Sequence, residues 1–246
     1  MTAPLLSIFF PMYNEEENIH PAIDAARAVC EQLLERGELV DYELIVVDDA
    51  STDATGKIAD EMAAADHRVR VVHHPVNRKL GGAIKTGFAS AKGDLILYSD
   101  ADLPFDMQEV AKAVRIQRLY EVDIVSAYRL DRTTEGVTRA LYTHVYNFLI
   151  SAMFGVRFRD VNFAFKLCRR EIFERIELKS EGSFIDAELI IRATRHGYRI
   201  LQFGTDYFPR MRGVSTLASS GVILTILKEM RSLRKELESI RPMSRP

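Results

Sequence analysis

Leu95-Ile96-Leu97-Tyr98-Ser99-Asp100-Ala101-Asp102 joins a strand-like apolar run to two carboxylates that lie one residue apart. Open α/β sheets bind their ligands at the carboxyl ends of their strands. In extended backbone, residues i and i+2 point the same way, so Asp100 and Asp102 are expected to converge on one hard cation. This pattern favours a divalent metal bound together with a phosphate ligand. The alternative is that the two acids only cap the following helix.

A second acidic strand end lies upstream, in the segment Tyr42-Glu43-Leu44-Ile45-Val46-Val47-Asp48-Asp49-Ala50-Ser51-Thr52-Asp53. An apolar run again leads into two adjacent acids and a turn. Two acidic strand ends in one sheet indicate a nucleotide site, which weakens the helix-cap alternative.

Composition sets the limits for such a site. The chain has 246 residues, of which 47% are hydrophobic and 28% charged, and this is enough for one large α/β domain. Its formal net charge of −2 gives no support to nucleic-acid binding as the main task. Cys30 and Cys168 are too few for a disulfide framework or a zinc site, which fits a reducing compartment. The first four residues lead directly into a strand without a signal-like segment, so a cytoplasmic location is expected.

Strand-like runs alternate with helical ones, and this order predicts a mostly parallel sheet with helices on both faces. The predicted strands are Leu5–Phe10, Leu44–Val47, Val69–His73, Leu95–Asp100 and Asp123–Ala127. We expect residues 1–220 to form the main domain and residues 221–246 to form an amphipathic helix and tail.

Two segments of the second half suggest contact with a membrane. Residues 140–156 contain no Lys, Arg, Asp or Glu, but a transmembrane helix needs about 20 apolar residues. This segment is therefore expected either in the core or in a membrane interface. Basic residues follow it, a pattern suited to anionic headgroups or a lipid phosphate. Residues 221–246 carry a net charge of +3, which favours a membrane surface, a partner helix or a solvated helix packed on its own domain.

Three motifs in the first 130 residues resemble one known family. They are Pro11-Met12-Tyr13-Asn14-Glu15-Glu16-Glu17-Asn18-Ile19, Val46-Val47-Asp48-Asp49-Ala50-Ser51-Thr52-Asp53 and Asp100-Ala101-Asp102-Leu103. Their order and spacing resemble the inverting glycosyltransferases of family 2, which have the GT-A nucleotide-sugar fold. Within that family, Arg159–Leu167, Phe184–Leu189 and Arg210–Thr216 are similar to elements of the dolichyl- and polyprenyl-phosphate mannosyl- and glucosyltransferases.

The resemblance implies roles for residues around the donor. Asp100 and Asp102 are expected to hold Mg²⁺ or Mn²⁺ on the donor diphosphate. Tyr13 is expected to stack on the base, while Asp49 and Glu15 accept hydrogen bonds from the base or ribose. The candidates for binding phosphate through a bidentate guanidinium fork are Arg129, Arg210 and Arg212. The expected donor-binding residues are Pro11, Tyr13, Glu15, Val47, Asp49, Asp100, Ala101, Arg129, Arg210 and Arg212.

The acceptor side is expected to use a different set of residues. A lipid phosphate is already ionised near neutral pH, so positioning matters more than proton removal. Asp160 and Asp186 are the expected catalytic acids, acting as a base or orienting the sugar. Arg159 and Lys166 are expected to draw in the acceptor phosphate.

The leading expectation is a transferase that moves a hexose from GDP-mannose or UDP-glucose to polyprenyl or dolichyl phosphate at the cytoplasmic membrane face. Membrane association is expected to be peripheral, either direct or through a membrane partner protein. One alternative is a family 2 enzyme acting on a saccharide or another soluble acceptor. A second is a non-catalytic nucleotide-binding protein, because Pro104 and Ala164 replace a glutamine and a glycine of the family pattern.

Overall fold

The computed structural model describes residues 2–131, 137–208 and 220–242. The strands are β1 (Leu5–Met12), β2 (Asp41–Asp48), β3 (Val69–His73), β4 (Leu95–Ser99), β5 (Ile124–Arg129), β6 (Phe165–Arg169) and β7 (Ile200–Thr205). The helices are α1 (Ile19–Glu35), α2 (Thr55–Ala65), α3 (Lys79–Ser90), α4 (Glu109–Tyr120), α5 (Val137–Phe154), α6 (Ile185–His196) and α7 (Ser220–Ser239), with a 3₁₀ helix at Arg170–Glu174.

The strands form one seven-stranded sheet in the order β3-β2-β1-β4-β6-β5-β7. All neighbouring pairs are parallel except those of β6, which runs antiparallel to β4 and β5. The predicted mostly parallel α/β fold is thereby confirmed. The chain order reverses direction between β1 and β4, and open α/β sheets bind ligands at such a switch point. The acidic ends of β2 and β4 flank β1 on either side.

Successive side chains of each strand point to opposite faces of the sheet, so a hydrophobic core forms on each face. Leu6, Ile8 and Phe10 of β1 belong to a core with residues of α1, α2 and α4. Phe9, between them, belongs to the opposite core with residues of α3 and α6. Because both faces are covered, the inner strands carry continuous apolar runs.

A third core joins α5, α6 and α7. Ile150 and Phe154 of α5 belong to it together with Met230 and Leu237 of α7. On the opposite side of α5, Val145 and Phe148 are exposed. Among the described residues, no helix combines the length and the apolar character needed to cross a membrane.

Candidate functional site

The loops after β1 and β2 are cross-linked by their motif residues. Asn14, in the left-handed region at φ 56°, accepts a hydrogen bond from the Thr52 amide at 2.8 Å through Oδ1. Its own amide donates to Ser51 Oγ at 3.0 Å, and Glu16 Oε2 accepts from the Ala54 amide at 2.9 Å. These polar side chains therefore fix the shape of the two loops.

The residues predicted to contact the base and ribose lie around this pair of loops. Pro11 and Val47 are partners in the β1–β2 register. Tyr13 follows β1 and is 44% exposed, as an aromatic ring that stacks on a ligand must be. Glu15 is half-buried and its Oε2 accepts from Asn18 Nδ2 at 2.6 Å.

Asp49 is anchored by a histidine that sequence analysis missed. His74 follows β3, and its Nδ1 donates to Asp49 Oδ1 at 2.6 Å, while its Nε2 lies 2.8 Å from Thr86 Oγ1. The Arg78 amide donates to the same Oδ1 at 2.7 Å. Asp49 is 3% exposed, so its carboxylate is held in one orientation by fixed donors. The His73-His74 pair at a strand end was the available sequence signal.

The strand that leads into Asp100 and Asp102 ends earlier than predicted. β4 stops at Ser99, and Ala101 and Asp102 form a turn that precedes Leu103 at φ 50°. The extended-backbone reason for bringing Asp100 and Asp102 together is therefore wrong. The two carboxylates are nevertheless close enough for the charge of Asp102 to contribute to the raised pKa of Asp100.

Asp100 is half-buried in a crowded acidic environment. Burial, together with the charges of Asp102 and Asp186, raises the pKa of Asp100 to about 7, although the hydrogen bond from Tyr98 and the charge of Lys166 oppose this shift. The Tyr98 hydroxyl donates to Asp100 Oδ1 at 3.2 Å. Such crowding of negative charge is relieved by a cation.

The residues around Asp100 fit a divalent cation shared with a substrate. In the described residues no group of three or more His, Cys, Asp or Glu side chains is arranged to hold a metal. Mg²⁺ is commonly held by one or two carboxylates together with substrate phosphates. Asp100 and Asp102 match that donor set, and a diphosphate and water would supply the remaining ligands.

Lys166 and Asp186 form a buried ion pair next to this acidic group. Lys166 Nζ donates to Asp186 Oδ1 at 2.5 Å and to the Phe163 carbonyl at 2.8 Å. It also lies 5.8 Å from the centre of the Tyr98 ring. Burial raises the pKa of Asp186, and Lys166 opposes that shift. The structure thus brings Lys166 together with a predicted catalytic acid.

Arg129 and Asp160 form a second buried pair. Arg129 Nε and Nη2 each donate to Asp160 carboxylate oxygens at 2.6 Å, which is the fork geometry of a bidentate pair. The guanidinium also lies over the rings of Phe163 and Tyr207, at 5.6 and 5.1 Å from their centres. A predicted phosphate clamp and a predicted catalytic acid are therefore partners in this structure.

The remaining predicted residues lie apart or outside the described chain. Ala101 is buried at the end of β4. Arg159 is exposed and its Nη1 donates to Tyr128 Oη at 3.1 Å, whereas Lys166 is buried. Arg210 and Arg212 lie outside the described residues. Their expected roles, like those of the other site residues, stay predictions.

Left-handed backbone is concentrated in the loops that surround these residues. Asn14 and Ala50 follow β1 and β2, Leu103 follows the end of β4, and Asp160 precedes β6. Non-glycine residues in this region cost free energy and are found where surrounding contacts over-determine the backbone. The carboxyl edge of the sheet is therefore a shaped site rather than a set of ordinary turns.

Comparisons with known proteins agree with the fold. The family profile described as Glycosyl transferase family 2 matches residues 7–177. Glycosyltransferase AglD of Haloferax volcanii is 32% identical over 210 residues, which is 83% of this chain and 33% of AglD. The polyprenol monophosphomannose synthase of Mycolicibacterium smegmatis is 28% identical over 225 residues, which is 87% of this chain and 82% of that protein. This chain spans less than half the length of the two Haloferax volcanii relatives that it matches.

A solved structure supports the fold. Glucosyl-3-phosphoglycerate synthase from Mycobacterium tuberculosis, in complex with Mn²⁺, UDP-glucose and phosphoglyceric acid, superposes with a TM-score of 0.68 at 22% identity. The match covers 92% of this chain and 79% of that chain. The fold is that of the GT-A glycosyltransferases, and the chain belongs to glycosyl transferase family 2.

Proposed function

We propose that this chain transfers a hexose from a nucleotide-sugar to a polyprenyl phosphate. The observation that carries the proposal is the group formed by Asp100, Asp102, Asp186 and Lys166 at the switch point of a family 2 sheet. The similarity to a polyprenol monophosphomannose synthase over most of both chains supports the lipid phosphate as acceptor.

The donor diphosphate is expected beside Asp100 and Asp102. These carboxylates would hold Mg²⁺ or Mn²⁺, which neutralises the charge of the leaving diphosphate. The nucleoside then lies towards β1 and β2, where Tyr13 offers an exposed ring and His74 fixes the carboxylate of Asp49. GDP-mannose and UDP-glucose are the donors to test first, because both bases carry N–H groups that a carboxylate accepts.

Asp186 is proposed to position the hexose rather than to remove a proton. A phosphate acceptor needs no base at neutral pH, because its oxygen is already ionised. Lys166 holds the Asp186 carboxylate in one place at the start of α6, where it is able to accept a hydrogen bond from a sugar hydroxyl. Asp160 is proposed to orient Arg129 towards the donor phosphates.

Peripheral attachment to a membrane is proposed for the α5 and α7 region. Val145 and Phe148 are exposed on one side of α5, and Lys228 and Arg231 are exposed on α7. Exposed apolar side chains on one helix and exposed basic side chains on the other each favour the interface of an anionic bilayer. A membrane partner protein that contacts these helices is the second form of this proposal.

The proposal is tested by incubating the purified chain with a panel of donors, farnesyl phosphate and Mg²⁺ or Mn²⁺. We expect one donor to yield a lipid-linked sugar, and chelator to abolish the product. Release of nucleotide without lipid product would instead indicate a soluble acceptor. Nucleotide binding without either reaction would indicate a binding protein.

A further inference from the structure

We infer that a cavity beside β5 and β7 binds the phosphate group of the acceptor. The cavity has a volume of about 440 Å³ and is lined by Tyr128, Arg157, Phe158, Arg159 and Gln202. This inference rests on the proposed function, because it assigns a place to the acceptor of that reaction. It differs from the sequence-based expectation, which grouped Arg159 with Lys166.

The cavity is built around a fixed arginine. Gln202 binds the backbone of Arg159 on both sides, accepting from its amide at 3.0 Å and donating to its carbonyl at 2.7 Å. Tyr128 Oη accepts from Arg159 Nη1 at 3.1 Å, and its ring centre lies 5.0 Å from the guanidinium carbon. The guanidinium is therefore positioned by neutral groups, and its other N–H donors remain available to a ligand.

Among the residues that the structure describes, no acidic side chain neutralises the positive charge at this cavity. Within residues 2–131, 137–208 and 220–242, neither Arg157 nor Arg159 forms an ion pair. Other arginines of the chain do form such pairs, as Arg129 does with Asp160 and Arg192 with Glu188. Two guanidinium groups at one cavity favour a dianionic ligand, and a guanidinium fork matches phosphate oxygens.

The register of the strands relates the position of the cavity to the positions of Lys166 and Asp100. Tyr98, Lys166, Ser126 and Gln202 are consecutive partners across β4, β6, β5 and β7. Partners in register lie on the same face of a sheet, and neighbouring strands are about 4.8 Å apart. The cavity is therefore on the same face as Lys166 and roughly 10 Å from it. The donor diphosphate proposed beside Asp100 and the acceptor phosphate in the cavity would then lie on the same face of the sheet.

The same phosphate chemistry is available from a polyprenyl phosphate, a small soluble phosphate ester or an anionic membrane lipid. The test compares the unaltered chain with the double variant Arg157→Gln/Arg159→Gln. The matched control is Arg118→Gln/Arg170→Gln, which removes the same charge from two exposed arginines elsewhere. Calorimetric titrations use farnesyl phosphate, 3-phosphoglycerate and phosphatidylglycerol vesicles as three separate probes.

We expect the affinity for farnesyl phosphate to fall at least about tenfold in Arg157→Gln/Arg159→Gln, which is the size of one lost charge-assisted hydrogen bond. The control keeps its affinity, and all three chains keep their affinity for nucleotide with Mn²⁺. A selective loss of 3-phosphoglycerate binding would assign the cavity to a soluble phosphate acceptor and would contradict the lipid acceptor of the proposed function. Unchanged farnesyl phosphate binding in the double variant, or a loss confined to vesicles, would overturn the inference.

Arg159→Lys adds a second measurement. It keeps the charge but loses the fork, so an intermediate affinity for farnesyl phosphate is expected. Donor hydrolysis without acceptor separates the two proposals, because the double variant keeps it if only the acceptor site is changed. A chain that binds farnesyl phosphate through Arg157 and Arg159 but transfers no sugar would support the cavity and contradict the proposed function.

Discussion

Lys166 Nζ lies 2.5 Å from Asp186 Oδ1, and the two side chains are 0% and 3% exposed. Removing one partner of such a pair leaves a buried charge without compensation, which costs about 3–5 kcal/mol. We predict that Lys166→Met lowers the free energy of unfolding by this amount. Urea denaturation measures it, and the double variant Lys166→Met/Asp186→Leu is expected to recover most of the loss.

The activity of the double variant distinguishes a structural role from a functional one. If Asp186 positions the hexose, the double variant stays inactive although its stability returns. A double variant that recovers both stability and transfer would show that the pair serves folding alone.

The bond from His74 to Asp49 predicts an effect on nucleotide binding. In His74→Ala the carboxylate of Asp49 keeps the Arg78 amide but loses the histidine donor, so it is held less firmly, and we expect affinity for nucleotide with Mn²⁺ to fall about tenfold. His74→Gln keeps an N–H donor, so its affinity for nucleotide is expected to fall less. Calorimetric titration with UDP and GDP checks both, and the exposed His20→Ala on α1 is the control. Equal affinity in His74→Ala and the unaltered chain would exclude the proposed role of the bond.

The hydrogen bonds of His73 lead us to predict that the stability of the chain depends on pH. Hydrogen bonds with Asp60 and then Asp48 raise the pKa of His73 above its usual value of 6.5. Because the folded pKa is raised, the stabilisation is present below pH 6.5 and is lost as the pH rises through the folded pKa. The difference in unfolding free energy between the unaltered chain and His73→Gln should therefore be largest at acidic pH and shrink towards alkaline pH. A difference that grows with pH would contradict this assignment.

The hydrogen bonds of Glu229 are expected to attach α7 to residues 180–182. Its Oε1 accepts from the amides of Glu181 and Gly182 at 3.1 and 3.0 Å, and its Oε2 accepts from Ser180 Oγ at 2.8 Å. Glu229→Ala should destabilise the chain by about 1–3 kcal/mol and speed hydrogen exchange at the two amides. Glu238→Ala removes only an exposed pair with Arg234 and should cost less than about 1 kcal/mol. Equal, small effects of both changes would show that Glu229 contributes little to the attachment of α7.

Much of the first half of the fold could be predicted, because strands covered on both faces carry continuous apolar runs. Val69–His73 was predicted with the bounds that β3 has in the structure. β6 was not predicted, since its buried Lys166 breaks the apolar pattern and is neutralised by Asp186, 20 residues later. A partner at that distance leaves no signal in a local pattern.

The parts of the candidate site that lie within one sequence motif could be predicted. The contacts between residues from separate strands could not. Asp100 and Asp102 are separated by a single residue in the sequence, so their proximity was expected, although the turn that joins them was not. The contacts of Asp49 with His74, and of Arg159 with Tyr128 and Gln202, span 25 to 43 residues of sequence. Only the strand order brings these residues together.

The most direct test of the account is sugar transfer to farnesyl phosphate by the unaltered chain and by Asp102→Asn, with Mn²⁺ and with chelator. Asp106→Asn is the matched control, because Asp106 is an exposed acid in the same loop whose Oδ1 accepts from the Gln108 amide. We expect chelator to abolish transfer, and Asp102→Asn to lower it at least about 100-fold at unchanged thermal stability. Transfer by Asp102→Asn at the rate of the unaltered chain, or transfer that resists the chelator, would contradict the account.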